Sequence, residues 1–344
     1  MSVLQQLRRS ARPVEGSAAH GLPEARWSPF EIAFWCVPIA VFFLLPDYLV
    51  FGSQVLIVGL FALSLDLVLG YAGIVSLGHA GFFGLGAYTA GLLAAHGWGE
   101  PLSGLAAGAV VAALAGFCVS FLVVRGQDLT RLMVTLGIGL MLYEAANKMA
   151  FLTGGVDGLS GVTMRNLLGT FAFDLEGRTA YVYSLVVLFL AFVGLRRLVR
   201  SPFGLSLRGI QQGPKRMPAI GANVRMRLVA AFTVSAAIAG VAGALLSQTT
   251  QFVGLDSLGF SRSAELLIML VLGGAGRLYG ALIGAAVFMI AQDVLAGINP
   301  VYWQFWIGLL LMVIVLFARG GILGGLEAAV SAVKARGARK GGAS

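Results

Sequence analysis

Charge is scarce in this sequence: 11% of its 344 residues are Asp, Glu, Lys or Arg, against about 25% in soluble domains. Together with 58% hydrophobic residues and a mean hydropathy of +0.89, that deficit excludes an ordinary soluble protein. Cysteine is also rare. Cys36 and Cys118 are the two present and both lie in apolar runs, which argues against a disulfide framework or a thiolate metal site. The histidines are His20, His79 and His96, at spacings that suit no metal. No Gly-x-x-x-x-Gly-Lys-Ser/Thr phosphate loop occurs, nor any catalytic constellation. The chain is therefore not expected to be an enzyme or to carry a cofactor or metal, and any ATP it depends on is used by another chain.

What is there is a series of apolar runs with no polar domain between them. They predict an all-α, polytopic membrane helix bundle of about ten (eight to ten) crossings, spanning residues 30–319. A tail precedes it (1–29) and a basic, glycine-rich tail follows (320–344). The expected helices are Ile32 to Leu45, Val50 to Leu69, a glycine-rich third ending near His96, Leu102 to Val124, and a fifth from the Arg125–Arg131 loop to about Phe151. Then come Tyr181 to Leu198, Leu228 to Thr249, a short eighth from near Ser263 to Gly273, Leu278 to Leu295, and Tyr302 to Phe317. The eighth is short for the roughly 20 residues of a full crossing, and reads as tilted or as a half-helix. The net charge of +9 is not a nucleic-acid signal, because its distribution follows the positive-inside rule. With both termini in the cytoplasm, 20 of the 24 Lys and Arg fall in cytoplasmic loops and tails, leaving Lys148, Arg165, Arg178 and Arg262 outside. No small-residue cleavage pattern follows the first apolar run, so that run reads as a retained helix.

The stretch from Leu65 to Leu93 organises the rest. It is almost uncharged and carries a glycine every two to five residues. In water each would cost a helix roughly 1 kcal/mol relative to alanine; in a membrane they allow close backbone approach or a broken helix beside a protected cavity. The stretch reads as the wall of a path through the bilayer. Asp66, Glu144, Glu265 and Asp293 are its neighbours in charge, read as interfacial or hydrogen-bonded inside the bundle rather than as an ion relay. His79 is open to two readings, a polar group lining the path or a histidine packed between helices. Gly276, Gly280 and Gly284 form a four-residue stripe for helix packing. Leu69-Gly70-Tyr71-Ala72-Gly73 and Leu272-Gly273-Gly274-Ala275-Gly276 resemble each other, a hint of internal repetition.

The loop from Arg196 to Arg227 holds eight Lys or Arg and no acid. Ser201 and Pro202 suit the N-cap and first position of a short helix. Phe203, Ile210, Met217 and Ile220 need a partner surface, so the loop reads as a docking element.

The segment Gly70-Tyr71-Ala72-Gly73 through Ser76-Leu77-Gly78-His79-Ala80-Gly81-Phe82-Phe83-Gly84-Leu85-Gly86-Ala87-Tyr88 resembles the signature of the branched-chain amino acid ABC transporter permeases. It is closer to the subunit with the longer N-terminal region. Arg125-Gly126 with Val134-Thr135-Leu136, Thr153-Gly154-Gly155-Val156-Asp157-Gly158-Leu159, Ser201-Pro202-Phe203-Gly204 with Ala219-Ile220-Gly221-Ala222-Asn223, and Gly273-Gly274-Ala275-Gly276-Arg277-Leu278-Tyr279-Gly280 agree in order. The resemblance implies a multi-pass subunit of the bacterial inner membrane, embedded in lipid and working by alternating access. Its partners would be a second related permease, two cytoplasmic ABC ATPases and an external solute-binding protein. It implies a substrate pathway at Asp66, Gly73, Ser76, Gly78, His79, Gly81, Phe82, Tyr88, Gly273, Gly274 and Gly276. It also implies an ATPase-coupling loop at Ser201, Pro202, Phe203, Gly204, Arg208, Ala219, Gly221 and Asn223. The chain departs from the family in lacking acids in the coupling segment and in carrying Asp66 where Asn is frequent. Branched-chain amino acids or related small solutes are the expected cargo. The alternatives are urea, amides or aromatic acids, or a self-contained channel or ion-coupled carrier.

Overall fold

The computed structural model describes residues 29–126, 128–167, 169, 171, 176–300, 302–317, 321, 322 and 324. The expected tails at 1–29 and 320–344 lie almost wholly outside them. The described chain is helical: α1 Pro29–Leu44, α2 Leu49–Asp66, α3 His79–Ala95, α4 Pro101–Val123, α5 Asp128–Lys148, α6 Arg178–Arg200, α7 Pro202–Gln212, α8 Val224–Thr250, α9 Phe260–Gly273, α10 Leu278–Ile298 and α11 Trp303–Phe317. A short N-terminal unit ends at Val37 and the bundle begins at Pro38, a proline inside α1 that interrupts its hydrogen-bond ladder. Six helices among the described residues are long and apolar enough to cross a membrane, at 46–71, 101–123, 129–148, 178–200, 224–250 and 278–298. The chain is a multi-pass helical membrane bundle.

Small residues decide which helices touch. On α4 the buried positions are Pro101, Gly104, Gly108, Ala112, Gly116, Ser120 and Val123. That near four-residue spacing puts one stripe of small groups along one face, while Leu102, Val110, Leu114 and Leu122 point outward. The stripe packs on α8, where a methyl on Gly240 would overlap Ala112. A methyl on Gly86 of α3 would overlap the Gly240 carbonyl, and one on Gly243 would overlap that of Phe83. α3, α4 and α8 are thus joined with backbones in contact, the geometry small residues permit where lipid supplies no hydrophobic drive between helices. Glycine there serves close packing.

Two expectations about helix limits change. α2 runs into a π-helical turn at Leu67–Tyr71, and residues 72–78 are not helical; α3 starts only at His79. The expected third helix with a tight turn at Gly70 is therefore two pieces, because glycines and Ser76 offer little to hold a continuous helix. His79 lies beside Ser64, seven residues before Tyr71, so α3 begins about 10 Å in from the end of the π-helical turn that continues α2. α9 is short as expected, at 14 residues. Its first turn meets the start of α3, so its inner end is where it begins. The four-residue glycine stripe also shortens: Gly276 precedes α10, leaving Gly280 and Gly284 to pack against Gly273 and Met269 of α9.

Candidate functional site

Two interrupted helix pairs, α2/α3 and α9/α10, bring their glycine turns together. A methyl on Gly70 would overlap the Gly276 backbone nitrogen. Gly276 holds φ +81°, a backbone conformation that favours glycine, and its N–H donates to Asp66 Oδ1 at 2.7 Å. Asp66 is fully buried. Its Oδ2 is buried without a hydrogen-bond partner among the described residues, and Arg208 is the charged group that acts on the carboxylate. The two segments that resemble each other in sequence are therefore in direct contact in space.

α7 lies under this join. The Arg208 guanidinium sits 5.0 Å from the Tyr71 ring centroid, a cation–π distance. The Gln211 side chain borders Gly73. Leu207 and Ile210 face inward and are buried. Ser201 occupies the N-cap in extended conformation with Pro202 following, as expected. Its hydroxyl, however, donates back to Leu198 O at 2.6 Å rather than capping α7. Gly204 is buried at the α6–α7 elbow, where a methyl would overlap the Val199 carbonyl; it shapes the segment and does not present a surface. Met217 packs against Gly209, and Arg227 Nη1 donates to Ser206 Oγ at 2.6 Å. Ala219 lies in the turn Met217–Ile220, which Gly221 ends at φ +79°. Asn223 Oδ1 caps α8 by accepting from Met226 N at 3.1 Å. Of the four apolar residues expected to need a partner, Ile210 and Met217 find it within the chain and Phe203 is half-buried. Ile220 is 76% exposed, and Leu205 of α7 is 50% exposed.

The remaining expected path residues fall in two other places. At the start of α3, the His79 ring is fully buried, with Nε2 2.9 Å from Ser64 Oγ and 3.3 Å from Ser235 Oγ. Ser235 donates in turn to the Ser64 carbonyl. Phe61 stacks on the imidazole and Phe82 meets it edge-on, with Phe82 in turn against Phe232. His79 thus links α2, α3 and α8, which favours the packing reading, with hydroxyls as partners in place of the expected carbonyl. Ala80 N donates to Ser263 Oγ at 2.9 Å and Leu77 N to Thr135 Oγ1 at 3.2 Å. These bonds satisfy donors that a buried helix start would otherwise leave open. Gly78 and Gly81 pack against α5, on Thr135 and Leu142. Ser76 is buried, its hydroxyl without a partner among the described residues. Tyr88 lies elsewhere, in a cluster with Leu159, Val253 and Leu258.

Asp66, Gly73, Gly273, Gly274 and Gly276 therefore form one group, Ser76, Gly78, His79, Gly81 and Phe82 a second, and Tyr88 stands apart. They do not line a common opening among the described residues. A narrow gap too small for water lies between Leu77, Gly78, Gly139, Leu258 and Ser263. Sequence reasoning passed over Ser64 and Ser235, and gave Thr135 and Ser263 no partner. A hydroxyl inside an apolar helix was the available signal, but nothing in the pattern said which one it meets.

Residues 49–316 match the family described as branched-chain amino acid transport system / permease component. The chain is 28% identical over 322 residues to the high-affinity branched-chain amino acid transport system permease protein LivM of Escherichia coli (strain K12), covering 86% of this chain and 71% of that protein. It is 25% identical over 287 residues to the permease protein LivH of the same strain, covering 77% and 90%. To BraD of Pseudomonas aeruginosa it is 26% identical over 285 residues, covering 77% and 91%. No solved structure matches the chain. The family match takes in both glycine turns, the His79 cluster and all of α7, and on that basis the chain belongs to the permease components of branched-chain amino acid transport systems.

Proposed function

We propose that this chain is one permease subunit of a heteromeric ABC importer for branched-chain amino acids or related small solutes. It sits in the bacterial inner membrane beside a second, related permease. Two ATPases bind from the cytoplasm, and a solute-binding protein delivers cargo from outside. In this reading both termini are cytoplasmic and the chain crosses eight to ten times, with the shorter helices α1, α3, α9 and α11 completing what the six long ones begin. α7 and the glycine turns lie at the cytoplasmic end, where the basic residues collect.

The observation that carries the reading is the family match combined with α7. An amphipathic helix at the end of the bundle is anchored inward by Leu207 and Ile210. Outward it leaves Leu205, and beyond it Ile220, open among Arg208, Lys215 and Arg216 with no carboxylate between them. Exposed apolar groups ringed by one sign of charge suit an acidic protein surface with an apolar centre. Because the glycines of α3 are occupied by helix contacts, the solute route belongs between this subunit and its partner permease. The other function considered, a carrier that works alone, separates cleanly by experiment. The full set of subunits in proteoliposomes is expected to accumulate leucine only with ATP inside. Accumulation by this chain alone, without nucleotide, would overturn the proposal.

A further inference from the structure

We propose that Asp66 is a positioning residue for transport: its carboxylate pins the second glycine turn to the first, so that a displacement of α7 moves both interrupted helices together. The inference rests on the reading of α7 as the element that receives force, and adds how that force is shared. Three contacts make an unbroken chain. Arg208 of α7 lies on the Tyr71 ring, and Gln211, one turn on, borders Gly73. Asp66 Oδ1 accepts from Gly276 N. Between the turns there is no soft layer, since a methyl on Gly276 would come within 3.0 Å of the Gly70 carbonyl.

A carboxylate accepting a backbone N–H makes a stronger bond than a neutral acceptor does. Among the described residues it is also the only side-chain acceptor of the Gly276 amide. Polar groups buried beside lipid are expensive and rarely idle. Asp66 spends one oxygen on the other turn and leaves the second in reach of the Arg208 charge. That arrangement places the pin between α7 and the turn that joins α9 to α10.

The test uses the chain assembled with its partner subunits and follows amide hydrogen exchange over peptides covering 69–74 and 272–278. Arg208→Ala removes an exposed side chain and is expected to raise exchange in both windows, by about tenfold. In an Asp66→Ala background the same change is expected to raise only the 69–74 window, because the link is already cut. Asp66→Asn keeps a carbonyl acceptor and should hold the 272–278 window within about twofold of wild type. Asp66→Ala should also keep ATP hydrolysis while leucine uptake falls about tenfold, an uncoupling that general damage to the fold would not produce. If Asp66→Ala does not assemble, Arg208→Ala decides alone: exchange transmitted to 272–278 supports the pin, and a change confined to 69–74 overturns it. Additive effects of the two substitutions at 272–278 would also overturn it. A wild-type complex without ATP-driven uptake would remove the importer reading, while the exchange comparison would still decide the pin.

Discussion

The glycine turns and the α7 segment use the same residue type to opposite ends. At the turns, Gly70, Gly273 and Gly276 let two backbones meet inside the bundle, and Leu67, Val68, Leu272 and Leu278 beside them are covered by the chain itself. Around α7, Gly204 shapes an elbow and Gly221 ends a turn, but Leu205 and Ile220 stay uncovered. One region is closed and rigid, the other closed on its inner face only. A closed region transmits displacement, whereas a half-open one receives it. The contrast locates where a partner belongs without reference to what that partner is.

Substitutions should fall on the two regions unequally. The largest effect is expected from Gly273→Leu, whose Cβ would overlap the Gly280 carbonyl of α10. Overpacking against backbone costs about 3 kcal/mol or more, read as lost thermal stability of the purified chain, and uptake should vanish with it. Next comes Leu205→Asp combined with Ile220→Asp. These groups are exposed, so the purified chain should keep its stability to within about 0.5 kcal/mol. ATP-driven uptake by the assembled complex should nevertheless fall at least tenfold, roughly. Equal loss of stability in both experiments would erase the distinction between the regions.

Two smaller changes sharpen it. Gly221→Ala meets no neighbouring atom, but its φ of +79° strains any other residue. The expected cost is about 1 kcal/mol, measured by thermal unfolding. Ser201→Ala should cost the least, about 0.5 kcal/mol or less, since the hydroxyl bonds Leu198 O and does not cap α7. A loss of 1 kcal/mol or more would restore the capping role that the spacing alone suggests.

Much of the local structure was legible in the sequence. Ser201-Pro202 announced the start of α7, apolar run lengths located α4, α6, α8 and α10 to within a few residues, and the short run before Gly273 announced a short helix. Limits were least legible where glycine and hydroxyl residues dominate. Between Tyr71 and Gly78 the pattern looked continuous, and the break there follows from contacts to Thr135 and Ser263 that lie 58 and 183 residues away. The reading of the glycines as a path wall met the same limit: a glycine signals that something comes close, and the sequence does not say whether that is a solute or another helix.

By itself, the sequence determined the membrane setting, the helical class, the family and the basic segment from Arg196 to Arg227, because each depends on composition or on order along the chain. Which group faces which was decided only in three dimensions. The meeting of Asp66 with Gly276 across 210 residues, the three-helix seat of His79, and the covering of Ile210 but not Ile220 all arise from helices packed side by side. In a bilayer, hydropathy is nearly the same on every face of a helix, so the pattern cannot point the faces. Small differences in side-chain volume and single hydrogen bonds choose among the packings, and those appear only when the chain has closed on itself.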